Sequence, residues 1–165
     1  MGAVIDFNAA RGVRVWQGIE TCDPPFGLYD YADHLAMAER MLAAREKRFP
    51  AMVSAGKLEA EQAEAELATF RAIVADWRWI CTGQGKPAPL ATLALRCAAL
   101  DASLRTIAEI ARDEGGFSPE LAAQADSVIA MLWHLEPGRR THALARITHE
   151  IRADLRTQQE ATHAV

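Results

Sequence analysis

Ser54-Ala55-Gly56-Lys57 divides two long stretches of apolar residues at helical spacing, and how it is read decides the fold. Upstream, Leu28, Tyr31, Leu35, Ala38, Leu42 and Phe49 recur at intervals of three, four or seven, the repeat that gathers side chains on one side of an α-helix. Downstream, Ala63, Leu67, Phe70, Val74, Trp77 and Cys81 do the same. Gly56 suits the left-handed residue just past a helix end, where a side chain would be strained. The spacing therefore predicts an antiparallel helical hairpin over residues 28–82. Pro50, near the end of its first arm, is expected to kink or terminate that helix. Glu59, Glu61, Glu64 and Glu66 crowd the start of the second arm, where the positive end of the helix dipole favours them.

Working outward, residues 83–89 read as a Gly/Pro linker, and residues 90–165 as a three-helix unit. The third helix, about Leu90 to Glu114, carries Leu90, Leu93, Cys97, Leu100, Leu104, Ile107 and Ala111 on one face. Ser118 and Pro119 are the N-cap and first residue of a fourth helix, with Leu121, Ala125, Val128, Leu132 and Leu135 facing inward. A fifth helix, about Arg139 to Gln159, uses Leu144, Ile147, Ile151 and Leu155 as its core face, and the tail beyond it is expected to fray. Residues 1–27 form an irregular N-terminal arm. Val4–Phe7 and Val13–Trp16 are candidate short strands, but two strands alone make a marginal sheet; Phe7 and Trp16 are expected to pack on the helices. The fold class expected is all-α, in one compact domain.

Between Glu39 and Asp76, the residues Arg45, Phe49-Pro50, Val53, Gly56-Lys57-Leu58, Ala63, Leu67, Phe70, Ala72-Ile73 and Asp76 form a pattern. In these residues the segment resembles a family of short helical-hairpin proteins of bacteriophage and bacterial genomes. Where that family has Ser or Thr after the turn as an N-cap, this chain has Glu59. The resemblance implies a coiled hairpin and a phage-derived history, and no active site.

A net charge of −4 and a pI near 5.7 argue against coating nucleic acid or anionic membrane by bulk charge. The three cysteines, Cys22, Cys81 and Cys97, lack a paired spacing, which favours a reducing compartment. The N-terminus has no secretory pattern, and no apolar run approaches the ~18–20 residues of a membrane span. A cytoplasmic protein with no membrane partner is expected.

Candidate chemistry is sparse. Asp30 and His34 are four apart and could share an ion, but helical metal sites need three or four ligands from facing helices. No metal site is assigned, and Asp30, Asp33 and His34 read as helix-start and surface residues. Gly83-Gln84-Gly85-Lys86-Pro87 lacks Walker spacing. No nucleophile motif is present, and Cys81 and Cys97 fall on apolar stripes. No catalytic residue and no cofactor is therefore assigned.

Residues 106–125 look similar to the helix-turn-helix of repressor-type DNA-binding proteins, with Thr106 and Glu109 as a capping box. Against this, Asp113 to Glu136 holds five carboxylates and no Lys or Arg, a poor match to a phosphate-lined groove. On the last helix, Arg139, His142, Arg146, His149 and Arg156 lie within about 100° of one another and form a candidate face for an anion or acidic partner. The favoured reading is nevertheless a solvated face that pairs with the chain's own acidic helices, such as the Glu59–Glu66 run. Trp79 and Trp133 fall off their stripes; each either marks an interface or buries against another part of the chain. The function these features favour is a non-enzymatic helical interaction module, acting on another protein or on its own copy as a homo-oligomer. The alternative is a small nucleic-acid-associated regulator using the basic face or residues 106–125.

Overall fold

The structure, a computed structural model, describes residues 12–85 and 91–164. Among these it contains five helices and one small sheet: β1 (Gly12–Trp16), β2 (Ile19–Asp23), α1 (Tyr31–Ser54), α2 (Ala60–Thr82), α3 (Leu93–Asp113), α4 (Pro119–His134) and α5 (Thr141–His163). It is mostly helical, but the sheet corrects the all-α, irregular-arm expectation for residues 12–23.

β1 pairs antiparallel with β2, with Gly12 opposite Asp23 and Trp16 opposite Ile19. Gln17 and Gly18 form the two-residue turn, both at positive φ (49° and 80°), which matches the twist of a tight hairpin. Val4–Phe7, the other candidate strand, lies outside the described residues. Trp16 and Ile19 pack against the helical core, as expected of Trp16. Arg14 grips Glu136 with two parallel bonds of 2.7 and 2.9 Å, tying the hairpin to the loop after α4.

α1 and α2 form the expected antiparallel pair. At the turn, Lys57 N–H donates to Met52 O (2.9 Å) and Gly56 N–H to Val53 O (3.1 Å), with Gly56 at φ 70°. This is the paired-bond C-terminal stop that the glycine predicts. α1 runs through Pro50 to Ser54 without terminating at it. α2 starts at Glu59 with no side-chain cap, whereas Thr92 and Ser118 each accept from the backbone N–H three residues on. α5 continues to His163, into the tail expected to fray.

α2 is the central helix, packed against α1, α3 and α5, while α4 packs on α1 and α3. From Ala72 to Ile80, only Ala75 and Arg78 escape full burial. The core joins Phe70, Ile73 and Trp77 of α2 to Leu100 and Leu104 of α3 and Val128, Ile129 and Met131 of α4. Two stripes differ from expectation. α1 turns His34, Met37, Ala38, Met41 and Phe49 inward, leaving Leu35 and Leu42 half-buried. α5 buries only Thr141 and Ala145, whereas Leu144, Ile147, Ile151 and Leu155 are 48–54% exposed. The fifth helix's expected core face therefore points away from the core.

Candidate functional site on the last helix

α5 is attached by its polar side. His142 Nε2–H donates to Asp76 Oδ1 at 2.6 Å, and the other Asp76 oxygen accepts from Arg96 at 3.3 Å. Asp76 and Arg96 are 4% and 6% exposed, so this ion pair lies in the interior between α2 and α3. One helical turn on along α2, the Trp79 carbonyl accepts from His149 Nε2–H at 2.7 Å. The Trp79 indole is stacked parallel on His142 and meets His149 edge-on. Two histidines seven residues apart thus clasp one tryptophan and the carboxylate beside it.

At the start of α5, buried Thr141 supplies a third attachment. Its hydroxyl lies 2.6 Å from His134 Nδ1, and His134 Nε2–H donates to Leu28 O at 2.7 Å. A carbonyl can only accept, so His134 Nδ1 is left to accept from Thr141. The same Leu28 oxygen accepts from His34 Nε2–H at 3.2 Å. Burial pushes both imidazoles below the ordinary histidine range. His34 is thus a core residue among Tyr31, Trp77 and His134, not the surface residue expected from sequence.

The structure does not bring the five residues of the expected basic face together as one free surface. His142 and His149 are spent on α2. Arg139 stacks over Trp133 at 3.6 Å and bonds Glu136 at 3.2 Å. The Arg14 bond, above all, and that of Arg139 hold the Glu136 carboxyl below the usual carboxylate range. Arg146 and Arg156 are exposed. Arg156 joins His149, Arg152, Thr82 and Gly83 around a cleft of about 500 Å³. Of the two tryptophans, Trp79 is buried against α5, and Trp133 is half-buried under Arg139.

Residues 106–125 do not form two short helices. Thr106 lies inside α3, where its hydroxyl donates to Ala102 O at 3.2 Å instead of capping. α4 sinks Leu121, Ala125, Val128 and Ile129 into the core. Asp30, Asp33, Asp126 and His34 share a cleft of about 280 Å³. Among the described residues, no three His, Cys, Asp or Glu side chains are placed to hold a metal ion. No described helix is long and apolar enough to cross a membrane.

The most distinctive feature is therefore the outward side of α5. Leu144, Ile147, Ile151 and Leu155 fall within roughly 80° of one another on a helix of 100° per residue. His142 and His149 lie on the opposite side, held to α2. Scattered exposed apolar residues are ordinary; here four stand in line on one helix. Comparison of the chain with family models, with characterised proteins and with solved structures finds no match.

Proposed function

We propose that this protein is a non-enzymatic helical interaction module of the cytoplasm whose working surface is the outward stripe of α5. The observation that carries this reading is the inversion of α5. Its polar side is consumed by Asp76, Trp79 and His134, which leaves Leu144, Ile147, Ile151 and Leu155 for a partner. Each of these four aliphatic side chains is about half exposed, so a covering partner would gain, for each, roughly half of the 1.5–3 kcal/mol of full burial. The likeness of residues 39–76 to phage and bacterial hairpin proteins agrees with an accessory, non-catalytic role.

The test is a photo-cross-linking amino acid placed at Ile147 in the cells that make the protein, with the adduct identified by mass spectrometry. A protein adduct at Ile147, absent from a control position at exposed Arg105, supports the reading. Equal labelling at both positions contradicts it.

A second reading, a nucleic-acid-associated regulator, has one observation in its favour: His149, Arg152 and Arg156 border a single cleft. It predicts binding of labelled DNA or RNA that collapses with salt and weakens in Arg156→Glu. No binding at low salt removes it.

A further inference from the structure

We propose that the occupant of the α5 stripe is a second copy of this chain, with the two α5 helices parallel and in register. This rests on the reading of α5 as an interaction surface and goes on to name the partner and its orientation.

Charge around the stripe selects the partner. Taking 100° per residue, Asp154 and Glu150 lie about 65° and 105° to one side of the stripe's centre. Arg152 lies about 95° to the other side, while Arg156 (about 135°) and Arg146 (about 145°, on the acidic side) lie too far round to face a partner. Nearest the stripe, one flank is therefore acidic and the other basic, and Asp154, Glu150 and Arg152 have no ion-pair partner among the described residues. When two such helices pair side by side in parallel, related by a two-fold axis along them, the acidic flank of each faces the basic flank of the other. Arg152 then lies roughly 3 Å along the axis from both Asp154 and Glu150 of the second copy. In an antiparallel pair, like flanks meet: Glu150 approaches its own counterpart, and Arg152 likewise. Like charges held together disfavour that arrangement.

The shape of the stripe agrees. Leu144, Ile147, Ile151 and Leu155 are spaced three, four and four, or 11 residues over three turns. That repeat keeps the stripe nearly straight along the helix for roughly 17 Å. The body joins α5 on the side of Ala145, His142 and His149, roughly 115–175° from the stripe's centre. In the parallel pair the two bodies therefore diverge. Four half-exposed side chains per copy make a small interface, so the dimer is expected to form weakly, with a dissociation constant on the order of 10 μM.

The test uses the full chain with Leu144→Cys or Leu155→Cys, under mild oxidation, with the wild type as control for the native cysteines and peptide mapping to assign each bond. The parallel pair predicts that each variant alone forms a 144–144 or 155–155 disulfide. A 144–155 bond that forms only when the two variants are mixed overturns the orientation. A wild type that sediments as a monomer at about ten times the expected dissociation constant overturns the second copy. In that case an Ile147 adduct with a different protein leaves the interaction surface standing. Arg152→Glu is expected to weaken the dimer about tenfold, and Arg152→Glu with Asp154→Arg to be less weak than the two single losses combined, with full recovery only when Glu150→Arg is added, because Glu150 also faces position 152. A double variant as weak as the sum of its singles also overturns the pairing.

Discussion

His142 Nε2 lies 2.6 Å from Asp76 Oδ1, so the first turn of α5 is fastened to an almost fully buried carboxylate in the C-terminal third of α2. Asp76 also carries the counter-charge of Arg96. Removing the two ends of this contact should therefore have unequal effects. Asp76→Ala strands a buried guanidinium and is expected to cost about 3–5 kcal/mol. His142→Ala, which takes away one partner and leaves Asp76 with Arg96, is expected to cost about 1.5–3 kcal/mol. Urea unfolding of the two variants measures the order, and equal or reversed losses would contradict the network.

The buried pair His34 and His134 predicts how stability depends on pH. Burial lowers the pKa of both in the folded protein, whereas in the unfolded chain they protonate near pH 6.5. The unfolded state thus binds more protons as the solution is acidified. The contribution of these groups is complete above about pH 6.5 and is lost as pH falls from there toward the folded values. The urea midpoint is expected to fall between about pH 6.5 and 5, and to fall less steeply in His34→Gln/His134→Gln. A midpoint that rises over that interval in the wild type would refute the arrangement.

Helix starts provide an internal comparison. Ser118 caps α4 by accepting from Leu121 N–H at 3.1 Å, and Ser118→Ala is expected to cost about 1 kcal/mol. Glu59 occupies the same position on α2 and makes no capping bond. Glu59→Ser is expected to add about 0.5–1 kcal/mol, because a serine there can reach an open N–H. Thermal unfolding of both variants should move in opposite directions; a destabilised Glu59→Ser would count against the assigned start of α2.

Local chemistry was what made much of the fold legible. Gly56 and the Ser118-Pro119 pair announce helix ends through conformational limits and hydrogen bonds made within a few residues. The orientation of α5 was not legible for a physical reason. An amphipathic pattern shows that a helix has two unlike sides, and the default puts the apolar side inward. Here the interior itself is polar at the contact, because Asp76 and Arg96 are buried there and the Trp79 carbonyl, which already accepts from Gly83 N–H, can take a second donor. His142 and His149 satisfy these groups better than leucine could. Asp76 in an otherwise apolar run of α2 was the one available signal. His34 was missed because α1 is set by Met37 and Met41, a neighbouring stripe of similar apolar character.

The outward stripe of α5 is tested most directly by comparing Ile151→Asp with Val128→Asp in urea unfolding, at concentrations where the chain is monomeric. Ile151 is 54% exposed and Val128 is fully buried. Ile151→Asp is expected to keep the helical signal and to stay within about 0.5 kcal/mol of the wild type, while Val128→Asp should lose more than about 4 kcal/mol or fail to fold. Loss of several kcal/mol in Ile151→Asp as well would mean that the stripe is core, and would contradict the account at its root.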